Sequence, residues 1–187
     1  MTEVIGIQVD QRQLAEVRQL LLAIPRAMPK VMSRGVNKTA SGARTKVVRE
    51  MARHSGVQQK FVRKAIRMKR ASQRHWVATI RVRGWRFPLT AKGARQTKKG
   101  VTYRGKSGRE LLPGGFIAAM PGGHTGVFTR RSTSRLPIDE HFTPSMVDVF
   151  DEAAELSRHR LDSEIAAKLQ SNIYTQVQLI LAKRRAV

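Results

Sequence analysis

The distribution of charge along the chain limits both what this protein can fold into and what it can bind. Residues 26–110, here called the basic segment, contain 25 Lys and Arg side chains and only two acids, Glu50 and Glu110. The other 102 residues contain 11 basic and 11 acidic side chains, so the basic segment carries the whole net charge of +23. Such a concentrated positive field attracts polyanions and repels further copies of the chain. The sequence therefore predicts a neutral scaffold with one segment that contacts a polyanion.

Composition argues against several other classes of protein. Aromatic residues make up 5% of the chain, which is too few for the stacking platforms that bind single-stranded nucleic acids. The absence of cysteine excludes disulfides, zinc–thiolate sites and thiol chemistry. No apolar run approaches the roughly 20 residues of a membrane span, and the short acidic start does not have the pattern of a secretory signal. At 187 residues we expect a single domain.

The first third of the chain has helical periodicity. Between Met28 and Met51, apolar or small side chains recur every three or four residues, which is typical of a helix with one buried face. Gly35 and Gly42 each cost such a helix about 1 kcal/mol relative to Ala, and they allow a close crossing or a bend. Ser55 is expected to cap the next helix. The predicted elements are a strand at 3–9 and helices at 11–24, 28–53 and 57–66.

The middle of the chain alternates between strand-like and turn-like stretches. The sequence WVATIRVRG at 76–84 alternates in polarity, which indicates a half-buried strand with a basic outer face. Residues 90–100 and 105–115 are rich in Gly and polar side chains, so both are predicted to be loops. The other predicted strands are 101–105, the pair 115–120 and 126–131, and an edge strand at 136–138.

The C-terminal part of the chain predicts one long helix over about 144–182. Thr143 is placed to cap it, and Pro144 suits its first turn. At 1.5 Å per residue this helix would be roughly 58 Å long, which exceeds what a small sheet can cover. Its apolar row recurs every four residues, and the pattern favours a core role and a subunit-interface role equally. The interface candidates are Leu161, Ile165, Leu169 and Ile173.

One stretch matches a nucleotide-binding motif letter for letter. GVTYRGKS at 100–107 fits the pattern G-x-x-x-x-G-K-[ST]. That site needs a buried strand before the loop and a helix after it, whereas KGARQTKK precedes this motif and Gly108 and Pro113 interrupt any helix. The five histidines lack metal-ligand spacing on one helix face, and no serine lies in a nucleophile-elbow pattern. The sequence therefore predicts no enzyme, no metal and no cofactor.

A series of motifs runs in order through roughly residues 26–142. The motifs are VNKTASGARTKVVREMARHSGV (36–57), FVRKAIRMKRAS (61–72), ATIRVRG (78–84), FPLTAKGARQTKKGVTYRG (87–105), GGFIAAM (114–120), GVFTRR (126–131) and LPI (136–138). In this order they resemble the minor tail protein Z family of long-tailed bacteriophages, the tail completion proteins.

The resemblance implies a structural protein of the virion. Proteins of this family form a ring, typically sixfold, at the head-proximal end of the tail, around the channel through which genomic double-stranded DNA passes. The implied partners are further copies of the chain, the neighbouring neck, tail terminator and tube proteins, and the DNA, with no membrane. The implied location is the tail or neck of the virion, and the host cytoplasm during assembly.

We therefore expect an α+β fold with N-terminal helices, a small mostly antiparallel β-sheet and a long C-terminal helix. The expected function is tail completion at the head–tail junction. A channel for DNA needs positive charge without base readout, and the stretch 92–106 is expected to be too polar for the core. The channel candidates are Lys92, Arg95, Lys98, Lys99, Arg104 and Lys106. The alternatives are a free-standing, sequence-independent nucleic-acid-binding protein and, with less support, a P-loop nucleotide hydrolase.

Overall fold

Four α-helices and nine β-strands make up the described part of the chain. The computed structural model describes the backbone of residues 2–9, 11–20, 22 and 25–185, and their side chains other than those of 2–4, 13, 14, 25, 156–161, 184 and 185. The helices are α1 (Gln11–Leu20), α2 (Met28–Ser55), α3 (Gln59–Ala65) and α4 (Met146–Arg185). The strands are β1 (Thr2–Gln8), β2 (Ile66–Lys69), β3 (Val77–Arg83), β4 (Arg95–Thr97), β5 (Gly100–Arg104), β6 (Arg109–Pro113), β7 (Phe116–Ala119), β8 (Thr125–Arg130) and β9 (Ile138–His141).

The predicted α+β class is confirmed, with the strands divided among three sheets. Their strand orders are β1-β3-β2, β4-β5-β6 and β7-β8-β9, and the pairs in the last two sheets are antiparallel. The residues group into two compact units. The first consists mainly of Val48–Ile66 and Val82–Ala154, and the second of Glu3–Val47, Arg67–Arg81 and Glu155–Val187. The single domain expected from the length stays a prediction.

In the second unit, α4 packs closely against α2 at Gly35. A Cβ atom on Gly35 would lie 2.7 Å from the Cγ1 atom and 3.2 Å from the Cα atom of Ile173. One residue earlier on α4, the buried Asn172 donates a 2.9 Å hydrogen bond from Nδ2 to the hydroxyl of Thr39. The close crossing predicted from the glycines is therefore at Gly35, whereas a Cβ atom on Gly42 would meet nothing within 4 Å.

The buried face of α2 agrees with the sequence pattern. Its side chains recur at the predicted spacing because that spacing keeps them on one side of the helix. All are less than 5% exposed: Met32, Val36, Ala40, Ala43, Val47 and Met51.

In the first unit, sheets β4-β5-β6 and β7-β8-β9 share an apolar cluster. Val101 of β5 and Val127 of β8 are fully buried in it, beside Leu89. The side chain of Gln96 links the sheets, since its Oε1 atom accepts a 2.9 Å hydrogen bond from the backbone nitrogen of Ile117. This cluster fixes β5, and with it the turns at both of its ends.

The two predicted loops at 90–100 and 105–115 are wrong in part. The first contains a 3₁₀ turn and β4, and the second contains β6. Both strands pair with β5 through the backbone while most of their side chains remain exposed, so they lack the apolar alternation that marks a half-buried strand. Strand β2 has no counterpart among the predicted elements. The edge strand predicted at 136–138 instead begins at Ile138, directly after Pro137, and pairs with β8.

Both predicted helix caps, Ser55 and Thr143, are wrong. Ser55 ends α2, and its hydroxyl donates to the backbone oxygen of Met51 at 2.6 Å. Thr143 is buried, and its hydroxyl accepts a 3.0 Å hydrogen bond from the backbone nitrogen of Phe87. Ser145 takes the capping position of α4, accepting a 3.3 Å bond from the backbone nitrogen of Val147. The hydroxyl of Thr143, which the local pattern assigned to the α4 cap, is instead used in a contact with Phe87, which is distant in sequence.

The remaining helix boundaries differ by a few residues. The helix predicted at 11–24 ends at Leu20 as α1, and residues 21, 23 and 24 lie outside the described residues. The helix predicted at 57–66 is α3, which is shorter because Ile66 already belongs to β2.

We predict opposite effects of the same substitution at the two glycines of α2. Gly42→Ala should stabilise the protein by up to about 1 kcal/mol, because Ala has the higher helix propensity and the position is open. Gly35→Ala should destabilise it, because the added methyl group must displace Ile173. Urea unfolding of both variants measures the difference, and equal stabilisation by the two would show that the crossing at Gly35 is not tight.

Candidate nucleic-acid interface

The exposed channel candidates are spread along β5. Lys98 and Lys99 form the two-residue turn between β4 and β5, and Arg95 lies in β4 opposite Thr102, the middle residue of β5. Arg104 ends β5, and Lys106 lies in the turn that follows. At about 3.4 Å per residue the two ends are roughly 14 Å apart. The structure therefore spreads these candidates along β5 and does not form one patch from them.

Lys92 was predicted as a channel residue, and this prediction is wrong. Lys92 is 8% exposed, and its Nζ atom lies 5.4 Å from the centroid of the Tyr103 ring. Burial lowers the pKa of Lys92, and the attraction of Glu110 only partly opposes that effect. The stretch 92–106 was expected to be too polar for the core, yet it supplies both Lys92 and the fully buried Val101. Lys92 is therefore not available to a phosphate group outside the protein.

Four other basic side chains surround a cleft of about 640 Å³ in the first unit. Arg49 and Arg53 lie four residues apart, so they share one face of the last turns of α2. Arg104 and Arg109 are direct partners across the β5–β6 pair. Among the residues that the structure describes, no carboxylate lines this site, which we call the arginine cleft.

The close approach of two backbone segments forms one end of the arginine cleft. Gly56, directly after α2, has a φ of +71°, which disfavours any residue with a side chain. A Cβ atom there would lie 2.5 Å from the backbone oxygen of Arg104. The end of α2 can therefore pass beside the β5–β6 hairpin only because residue 56 is glycine.

Repulsion between the arginines favours an external anion in the cleft. Arg104 and Arg109 are register partners across the strand pair, where like charges are destabilising. The Arg109 guanidinium donates hydrogen bonds to Thr102 and to the backbone oxygen of Gly93. Arg53 is paired with Glu50 at 2.6 Å, but among the described residues neither Arg49 nor Arg104 forms an ion pair. Guanidinium groups bind carboxylates and phosphates through two parallel hydrogen bonds. The lining contains no aromatic ring on which an unpaired base could stack.

A carboxylate on α4 binds the segments beside the cleft. The Oε2 atom of Glu152 accepts hydrogen bonds from Nζ of Lys106 at 2.5 Å and from Nε2 of His54 at 2.8 Å. These two donors, Lys106 first, lower the pKa of Glu152. Lys106 is thus engaged with its own chain, in contrast to Lys98 and Lys99.

Sequence reasoning found only one of the four cleft arginines, Arg104. Arg49 and Arg53 were expected at the flank of the apolar stripe of their helix, and Arg109 in a loop. The strand register that pairs Arg104 with Arg109 would have indicated the site, but the polar strand β6 gave no periodic signal.

The candidate interface residues of α4 have different environments. Leu169 and Ile173 are 4% and 1% exposed, so the core alternative holds for both within the chain. Ile165 is half-buried and lines a groove of about 250 Å³ with Ile5 and Ile7. The side chain of Leu161 lies outside the described residues.

The nucleotide-binding motif does not have the required geometry. Residues 100–104 form β5 and residues 109–113 form β6, so the motif lies in a hairpin and no helix follows its Lys-Ser pair. Within the described ranges, His, Asp and Glu side chains form no group of three or more that could hold a metal ion. In the same part of the chain, no helix has the length and apolarity needed to cross a membrane.

Comparison with known proteins identifies the family. The family described as prophage minor tail protein Z has a sequence model that matches residues 14–183. The chain belongs to this family. Its sequence is 27% identical over 165 residues to the tail completion protein of Escherichia phage N15, with 84% of this chain and 90% of that protein covered. No solved structure gives a significant match.

Membership in the minor tail protein Z family confirms the predicted resemblance and extends it beyond residues 26–142. The chain is therefore a phage tail protein and a component of the virion tail.

Replacing Lys92 tests whether burial of its charge costs stability. We expect Lys92→Met to raise the free energy of unfolding near pH 8, because the desolvation that lowers the Lys92 pKa is removed. As pH rises through the lowered pKa of Lys92 toward 10.5, the free energy of unfolding of wild type should increase toward that of Lys92→Met. The reason is that the folded state releases the Lys92 proton at a lower pH than the unfolded state does, so deprotonation favours folding. Urea unfolding at several pH values measures both effects, with Lys98→Met at the exposed turn as the control.

A Lys92→Met protein less stable than wild type at pH 8 would contradict this account. It would show that the contacts with Tyr103 and Glu110 outweigh the desolvation of the ammonium group.

Proposed function

We propose that this protein completes the phage tail at its head-proximal end, where copies of it form a ring around the DNA channel. The observation that carries the proposal is the family match over residues 14–183, together with the tail completion protein of phage N15 as a relative. We propose six copies per ring, contacts with neck, terminator and tube proteins, and assembly in the host cytoplasm. The role is structural and does not include catalysis.

The exposed turn at Lys98 and Lys99 supports contact with duplex DNA. Lysine and arginine bind phosphates without reading sequence, which suits a channel through which the whole genome passes. Arg95 adds a third exposed charge on β4, opposite Thr102, and the turn contains no aromatic residue. We assign DNA contact to this end of β5 and exclude Lys92 because it is buried.

A groove beside Ile165 supports the proposal of subunit contact. It is lined largely by apolar side chains from β1 and α4, and β1 is an edge strand of its sheet. Leu169 lines the same groove but is itself buried, which leaves Ile165 as the described member of the interface set that another copy could cover.

A complementation experiment tests the proposed function. Phage that lack the gene should make tails that fail to give infectious, DNA-delivering particles, and supplied protein should restore them. Electron microscopy counts joined particles, and DNA delivery is then measured from the joined fraction. Infectious particles formed at the normal yield without the protein would overturn the proposal. A purified monomer that binds free DNA tightly, with no effect on tails, would favour the free-standing nucleic-acid-binding alternative.

We predict that binding to duplex DNA is independent of sequence and falls steeply with salt. Neutralising Arg95, Lys98 and Lys99 to Gln should reduce the slope of log affinity against log salt by up to about 3, at roughly 0.9 per lost phosphate contact. Lys92→Gln should leave the slope unchanged because its charge is buried. Fluorescence titrations at several salt concentrations measure the slope. An unchanged slope in the threefold variant would remove these residues from DNA contact.

A further inference from the structure

Three carboxylates form a stripe on the exposed side of the first turns of α4. Asp148, Asp151 and Glu152 are spaced i, i+3 and i+4, which places them on one face of the helix. All three are exposed, while Val149 and Phe150 between them are buried. Among the described residues neither Asp148 nor Asp151 forms an ion pair. We call these three residues the acidic stripe.

The acidic stripe and the arginine cleft lie on different sides of the end of α2. Arg53 lines the cleft, whereas the next residue, His54, contacts Glu152. Consecutive residues of an α-helix point about 100° apart. Glu152 therefore holds the stripe to segments beside the cleft, on the side of α2 that His54 faces, while Asp148 and Asp151 remain exposed together with the cleft.

We propose that the acidic stripe of one copy docks into the arginine cleft of a second copy. The contact joins two different surfaces, so each copy can offer its stripe to one neighbour and its cleft to another, and repetition of such a contact can close a ring. The proposal rests on the ring proposed above and names surfaces that would join its subunits.

Charge explains why such a contact forms between copies of a chain with a net charge of +23. Copies repel one another unless their contact pairs opposite charges. The cleft offers Arg49 and Arg104 without an ion pair, and carboxylates from a neighbour would also relieve the repulsion between Arg104 and Arg109.

Shape favours a helix of a second copy over duplex DNA as the occupant. The cleft is concave, and its volume of about 640 Å³ accommodates several carboxylate side chains from one helix face. The turn at Lys98 and Lys99 is an exposed hairpin end instead, which suits the outer surface of a duplex.

Two charge-reversed variants test the docking. The first reverses the cleft, with Arg49→Glu and Arg104→Glu, and the second reverses the stripe, with Asp148→Lys and Asp151→Lys. Each variant alone should self-associate roughly tenfold or more weakly than wild type in low salt, because its two docking surfaces now carry the same sign. An equimolar mixture should recover association, because each surface then meets its opposite on the other variant. Sedimentation velocity measures all four samples.

Matched controls separate docking from folding and from total charge. Arg26→Glu with Lys30→Glu makes the same change in net charge as the cleft variant, at exposed positions outside the cleft, and it should leave self-association intact. Circular dichroism checks that every variant is folded. The chain lacks cysteine, so a mixture of Gln59→Cys and Asp151→Cys proteins can cross-link only between chains. Oxidation should form a disulfide between these two proteins. A Ser134→Cys protein used in place of the Asp151→Cys protein should not form one.

Three outcomes would overturn the docking. In the first, both reversed variants associate like wild type. In the second, the mixture stays as dispersed as its components. In the third, wild type stays monomeric and the cysteine pair fails to cross-link. Loss of DNA binding only in the cleft variant, with association unchanged, would assign the cleft to DNA. These outcomes leave the proposed function standing, because the complementation experiment tests tail completion independently of which surfaces join the copies.

Discussion

Repulsion among the positive charges of the basic segment is the constraint on which the rest of the structure depends. Only two acids lie within that segment, and Glu50 is bound to Arg53. Glu152, supplied by α4 from outside the segment, binds Lys106 and His54. Burial lowers the pKa of Lys92, which makes its charge easier to lose. The remaining charge is left on exposed turns and around the arginine cleft, where external anions can offset it.

Much of the fold could be predicted from local patterns. The apolar stripe of α2 and the inward face of β3, with Ala78, Ile80 and Val82 fully buried, follow from periodicity because each element buries one side. Strands β4 and β6 could not be predicted that way. They bury little, and they form because β5 between them is fixed by the core around Val101.

The arginine cleft was harder to predict than the fold because it depends on contacts distant in sequence. It needs the register of β5 with β6, and it needs Gly56 to bring the end of α2 beside Arg104. A linear cluster of basic residues suggested one patch at 92–106, but β5 separates its members. Likewise, the apolar row of α4 is compatible in sequence with both a core role and an interface role. The structure places Ile173 of this row against Gly35 of α2.

We propose different anions for different parts of one basic segment: duplex DNA at the turn formed by Lys98 and Lys99, and carboxylates of a second copy in the arginine cleft. The central claim is that the protein forms a ring at the head-proximal end of the tail. Cryo-electron microscopy of tails made with and without this protein tests that claim most directly. The account predicts a ring of density around the channel at that end, present only when the protein is supplied. Identical tail ends in both samples, or the protein located elsewhere on the tail, would contradict it.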